Sequence, residues 1–164
     1  MVLEANRIHY QLFSRLVQGY KRAVLVNVFT WANRGDHLIT IGERVLLNRF
    51  NLSLVYYCFY PGDYCDFRDI EQSKDLVVFI QGAGYIGHEA HVPVVRKTIE
   101  AFPNNRVIFF PISVCCTSKE EIAAYQNIFL QHNDLYLLLR DRFSYEVRTI
   151  STIPHPIYLL PYLK

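Results

Sequence analysis

The 164-residue chain carries 17 Lys and Arg against 15 Asp and Glu, a net charge of +2 with histidine neutral, which leaves no electrostatic footprint for nucleic acid. A hydrophobic share of 51% with 20% charged residues describes a folded globular chain and excludes a disordered one. No apolar run approaches the roughly 18 residues of a membrane span, and Glu4, Arg7 and His9 interrupt the stretch where a signal peptide needs its apolar core.

This length suits one domain over residues 1–164, with residues 1–20 as a helix packed on it. Residues 2–18 place Ile8, Leu12 and Leu16 at every fourth position, and Leu3, Phe13 and Val17 widen the stripe; an amphipathic helix is predicted, stopped by Gly19. Residues 23–29 (AVLVNVF) read as a buried strand and 31–36 as a turn. A second helix is expected at 37–50, with Leu38, Ile41, Val45 and Leu46 on its inner side. A second strand follows at 52–59, then a polar stretch punctuated by Pro61 and Gly62. Residues 76–80 (LVVFI) form a third strand, buried on both faces, and Gly82, Gly84 and Gly87 come at once, ahead of a helix at 88–102. A fourth strand is expected at 107–113 and a fifth at 135–139. Ser118 and Glu121 open the helix between them as a capping box, and Ala123, Tyr125, Ile128 and Phe129 face inward. A short helix at 141–147 and a sixth strand at 156–160 complete the pattern. Nearly all-apolar strands alternating with helices indicate an α/β fold, a three-layer Rossmann-like parallel sheet with helices on both faces.

Cys58, Cys65, Cys115 and Cys116 make neither C-x-x-C knuckles nor a dense framework. They read as structural thiols in a reducing compartment, hence a cytoplasmic protein.

The strongest chemical signal is the glycine turn. A strand, a glycine-rich turn and a helix in that order aim backbone N–H groups and the positive end of a helix dipole at one point, which suits an anion. The spacing also spells the G-x-G-x-x-G of dinucleotide sites, yet no Asp or Glu lies between Glu100 and Glu120, where that motif holds its ribose. In a parallel sheet the turn after the first strand lies on the same rim and adds Asn33, Gly35, Asp36 and His37, with Asp36 also readable as a helix N-cap. Arg140 ends the fifth strand on that rim, where a guanidinium pairs with phosphate or carboxylate, or with Asp141. His88 and His91 are three apart, not the four of H-E-x-x-H, and no metal site is read from them. Asp36 and His88 are the candidate proton carriers.

Four stretches in order carry a resemblance: Trp31 to Glu43 (WANRGDHLITIGE), Asp75 to Gly87 (DLVVFIQGAGYIG), Val107 to Ser113 (VIFFPIS) and Leu137 to Glu146 (LLLRDRFSYE). The chain resembles the polysaccharide pyruvyl transferase family, with its N-x-G-D turn, G-E helix, glycine-triplet turn and R-D-x-x-S-Y ending. The matching positions are Asn33, Gly35, Asp36, Gly82, Gly84, Gly87, Arg140, Asp141, Ser144 and Tyr145. Ala83, Tyr85, His88 and Ile112 depart from the pattern. The resemblance implies half of a GT-B-like architecture and a transferase of exopolysaccharide or cell-wall glycan synthesis, moving pyruvate from phosphoenolpyruvate onto a sugar hydroxyl pair as a ketal. The rim turns and the matching positions together give a candidate ligand set of Asn33, Gly35, Asp36, His37, Gly82, Gly84, Tyr85, Gly87, His88, Arg140 and Ser144. The resemblance implies no cofactor beyond the phosphoenolpyruvate donor.

Such a domain is expected to be inactive alone, its partners a glycan acceptor, an anionic donor and either a second copy or a chain supplying the other domain. The departures motivate the alternative of a non-catalytic, homodimerising interaction module. A nucleotide- or dinucleotide-binding domain is the second alternative.

Overall fold

The computed structural model describes residues 2–29, 33–60, 65–82, 85–87, 91–116, 118–146 and 157–159. The sheet strands are β1 (Arg22–Val28), β2 (Ser53–Phe59), β3 (Leu76–Ile80), β4 (Tyr85–Ile86), β5 (Arg106–Val114), β6 (Leu135–Leu139) and β7 (Ile157–Leu159). They run in the order β2-β1-β3-β5-β6-β7, with the short β4 beside β5. Every pairing is parallel. Helices α1 (Val2–Val17), α2 (Arg34–Arg49), α3 (Val92–Ala101), α4 (Lys119–Phe129) and α5 (Arg142–Glu146) alternate with them. This is the three-layer Rossmann-like fold that the alternating pattern predicts. Among the described residues no helix is long and apolar enough to cross a membrane.

The all-apolar strands are explained by the two cores they serve. Val24, Val26, Val78, Ile80, Val107 and Phe109 face α3 and α4, packing on Val94, Val95, Ile99, Tyr125, Ile128 and Phe129. The alternate residues Ala23, Leu25, Val77, Phe79, Ile108 and Phe110 face α1 and α2, meeting Phe13, Leu16, Val17 and Leu47. Each wholly buried Phe or Leu contributes about 2 kcal/mol of apolar transfer, so the central strands β1, β3 and β5 dominate the stability of the sheet. The amino-terminal rim is latched by Arg106. Its guanidinium bonds Asp134 (3.0 Å) and the Leu16 carbonyl (2.9 Å) and lies over the rings of Tyr20 and Tyr136.

Four expectations are corrected. First, α2 starts at Arg34 and its N-cap is Asn33, whose side chain accepts from Gly35 N–H at 2.9 Å; Asp36 sits in the first turn, where a carboxylate favours the helix dipole. Second, α2 buries Glu43 and Leu47, whereas Leu38, Ile41 and Val45 are 68%, 57% and 60% exposed. The inner face was misread because it is anchored by polar contacts that hydrophobic spacing does not register. β2 is likewise an edge strand, with Val55, Tyr57 and Phe59 turned outward. Third, the glycine turn does not open a helix directly. The chain first lays β4 against β5, pairing Tyr85 with Ser113 and Ile86 with Val114, and α3 begins only at Val92. Fourth, Cys58 and Cys65 form a disulfide, with Cα atoms 5.5 Å apart, while Cys115 and Cys116 are free thiols. The cysteines therefore give no argument for a reducing compartment.

Candidate functional site

The strand order reverses between β1 and β3, since the chain steps outward to β2 and then returns past β1. Open α/β sheets bind ligands beyond the carboxyl ends of their strands at such a point. Here buried polar residues appear at the end of the apolar runs: Asn27 next to last in β1 and Gln81 directly after β3. Asn27 is 1% exposed and adopts φ +65°, a left-handed conformation uncommon for residues other than glycine. It sits at an irregularity in the β1–β2 ladder and donates from Nδ2 to His91 Nδ1 at 3.2 Å, below the N-terminus of α3. His91 stacks on Tyr60 at 5.1 Å and lies tilted against Phe29 at 5.5 Å, the two aromatic rings themselves stacking at 4.9 Å.

On the opposite face Gln81 crosses from β3 to the neighbouring elements. Its Oε1 accepts from Phe29 N–H at 2.7 Å, and its Nε2 donates to Thr40 Oγ at 2.5 Å. One turn along α2, Glu43 accepts from Gly82 N–H at 3.0 Å through Oε1. Burial pushes the Glu43 carboxyl up to about 7, against the opposing pull of the Gly82 and Gln81 hydrogen bonds. Among the described residues, Asn27 Oδ1 and Glu43 Oε2 are buried without hydrogen-bond partners. The amino rim satisfies Arg106; the carboxyl rim retains open acceptors, and such exceptions call for a functional explanation.

The glycines are fixed by close approach. A Cβ at Gly82 would collide with the Pro111 carbonyl oxygen and stand 3.0 Å from the Phe110 carbonyl carbon. Gly87 holds φ +117°, and a Cβ there would stand 2.6 Å from the Cys115 carbonyl carbon and 2.8 Å from Cys116 N. The turn is thus pressed onto the end of β5, and the Cys115 N–H bond to the Ile86 carbonyl (2.7 Å) closes the contact.

That contact brings the turn to Arg140. Ser113, paired with Tyr85, accepts from Arg140 Nε at 2.7 Å and donates to Asp141 Oδ2 at 2.5 Å. Asp141 Oδ1 accepts from Ser144 N–H (2.6 Å) and Ser144 Oγ (2.5 Å), which makes it the cap of α5. Ser144, fully buried, in turn accepts from Val114 N–H at 2.8 Å. Partial burial opposes the Asp141 charge, but the bonds from Ser113 and Ser144 and the Arg140 guanidinium outweigh it and hold the carboxyl below the usual range. R-D-x-x-S is therefore a brace joining the ends of β5 and β6, with Arg140 presented to solvent. Ser144→Ala strands the buried Val114 N–H and should cost about 1–3 kcal/mol; urea unfolding of the variant measures it.

The structure thus joins Gly82, Gly87, Arg140 and Ser144 in one network and ties it through Glu43 to α2. Asn33, Gly35 and His37 lie exposed at the amino end of α2, with Asp36 half-buried. Gly84 and His88 lie outside the described residues, as does the side chain of Tyr85. Sequence reasoning names none of Asn27, Glu43, Gln81 and His91 as site residues, although Glu43 lies in the quoted G-E stretch, His91 is weighed as a metal ligand, and a polar residue interrupting or following an apolar strand is a readable signal at Asn27 and Gln81.

No protein-family model matches the chain. Pyruvyl transferase 1 of Schizosaccharomyces pombe is 24% identical over 153 residues, covering 88% of this chain and 38% of that protein. EpsO of Bacillus subtilis, named as a candidate pyruvyl transferase, is 25% identical over 89 residues, covering 53% of this chain and 28% of its own length. The chain is thus similar in sequence to part of two curated pyruvyl transferases. The matched regions amount to well under half of either relative. The pyruvyl transferase resemblance was carried by the N-x-G-D, glycine-turn and R-D-x-x-S stretches, the same stretches that build the carboxyl rim.

Proposed function

We propose that this rim is one side of a pyruvyl transfer site that receives phosphoenolpyruvate and a sugar of an exopolysaccharide or cell-wall glycan. The observation that carries the reading is the pairing of Tyr85 with Ser113, which lays the glycine turn beside the serine that holds Arg140. A guanidinium and a turn that leads toward a helix N-terminus suit a donor bearing both phosphate and carboxylate. The names of the two relatives supply the group transferred.

In this reaction a proton adds to the methylene carbon of phosphoenolpyruvate and one sugar hydroxyl bonds to carbon 2. The second hydroxyl then displaces phosphate, leaving a cyclic ketal and inorganic phosphate. Asp36 and His88 are the proposed proton carriers. The rim is open to solvent, and water competes for the activated carbon, so the reading includes a second domain or partner chain that closes a GT-B-like cleft over it.

Calorimetric titration tests the proposal. Phosphoenolpyruvate should bind with a dissociation constant on the order of 1 mM, worth about 4 kcal/mol. Arg140→Ala should abolish the binding, and the chain alone should release no phosphate with a disaccharide acceptor. Absence of heat at about 10 mM phosphoenolpyruvate rejects the donor site. Phosphate release above background, lost in Asp36→Ala, shows that one side suffices.

A further inference from the structure

Glu43 and Leu47 are the two buried residues of α2, one helical turn apart. An aliphatic side chain at position 43 would pack against the sheet without the desolvation of an acid. Among the described residues no charged group contributes to its titration; burial raises it, opposed by hydrogen bonding from Gly82 and Gln81. Stability alone therefore does not explain an acid here, and what the carboxyl touches is the point where the glycine turn leaves β3. Oε1 takes the Gly82 N–H at 3.0 Å, and Oε2 is buried with no partner among the described residues. Gly82 in turn is wedged against the Pro111 carbonyl, so the hydrogen bond and the wedge together fix its peptide. Thr40, on the same face of α2 one turn earlier, fixes the preceding residue through Gln81.

We propose that Glu43 is a positioning residue, whose carboxyl holds the Gly82 N–H and so fixes the Gly82 peptide at the carboxyl end of β3, where an anionic donor would be met. The proposal rests on the donor reading above for its ligand but not for its geometry. Glu43→Gln keeps an oxygen in the same place; Glu43→Ala removes it.

The direct test is amide exchange at Gly82, followed by NMR in the full chain. Exchange should be slow in the wild type and in Glu43→Gln and at least about tenfold faster in Glu43→Ala. Phosphoenolpyruvate should bind Glu43→Gln within about twofold of the wild type, and Glu43→Ala about tenfold or more weakly, with circular dichroism unchanged. Equal Gly82 exchange in Glu43→Ala and the wild type overturns the hold. Faster exchange with unchanged affinity overturns the role toward a ligand, as does a loss in Glu43→Gln equal to that in Glu43→Ala. If the wild type takes no phosphoenolpyruvate, the donor reading fails on its own, and Gly82 exchange still decides whether Glu43 holds the turn. Should Glu43→Ala not fold, Glu43→Asp replaces it, since its carboxyl is drawn back by one methylene and the same losses are expected.

Discussion

Gly87→Ala is expected to destabilise the protein by at least about 3 kcal/mol, a large part of the 5–15 kcal/mol that holds a typical domain together. Two costs combine. A φ of +117° is strained for any residue with a Cβ, and that Cβ would be driven into the Cys115 backbone. The neighbour cannot turn aside, because Cys115 N–H is bonded to the Ile86 carbonyl and β4 is paired with β5. Gly42 provides the contrast. It lies on the exposed face of α2, with nothing within 4 Å of a Cβ, so Gly42→Ala should stabilise by about 0.5–1 kcal/mol through helix propensity. Urea unfolding of both variants checks the pair. A Gly87→Ala protein within about 0.5 kcal/mol of wild type would show that the turn is not pressed onto β5 as described.

The second large effect concerns pH. The Glu43 carboxyl titrates near 7 in the folded chain against an ordinary value of 4.5, with burial as the chief cause. The folded state therefore holds this proton more tightly than the unfolded state. The stability it contributes is fully present below pH 4.5 and is lost as pH rises through about 7. With a tenfold change in proton affinity equal to about 1.4 kcal/mol, the loss amounts to roughly 3 kcal/mol. Glu43→Gln removes the ionisation. It should match the wild type near pH 4.5 and exceed it by as much as roughly 3 kcal/mol at pH 8, less the cost of its own amide donors. Other groups titrate across the same range, but they are common to both proteins and cancel in the difference. Denaturant melts at the two pH values decide it; parallel stability profiles would mean that Glu43 ionises freely in the fold.

The sheet was legible because β1, β3, β5 and β6 are buried on both faces, and such strands need unbroken apolar runs that few other structures produce. The capping box of α4 was legible because Ser118 and Glu121 act within one turn, so their spacing is the interaction. The same logic was available at Asp141 and Ser144 but was read as a ligand motif. Asp141 caps α5, and Ser144 lends its hydroxyl to β5. What stayed hidden depends on partners distant in sequence. The value of Glu43 lies in an amide 39 residues away, and an inner face built on such a contact loses a hydrophobicity comparison to Leu38, Ile41 and Val45. β4 is two residues long, too short to show any period. Its presence separates the glycine turn from α3 and alters how far the dinucleotide analogy reaches.

The uniformly parallel pairing has a consequence for how the chain reaches this state. Among the described residues no strand meets its neighbour through a hairpin; Arg22 of β1 lies against Leu76 of β3, with α2 and all of β2 between them in the chain. Every strand pairing must therefore close a long loop before its contacts return free energy, which makes the search slow compared with helical bundles of similar size. During synthesis β1 and β2 emerge first and can pair, but the second edge of β1 stays open until β3 arrives, and the face that meets α3 and α4 stays bare until those helices follow. Val55, Tyr57 and Phe59 remain on the open edge even afterwards. The order of emergence thus exposes the most adhesive part of this chain for longest, and the centre of the sheet forms only once the segment leading to the glycine turn has been made.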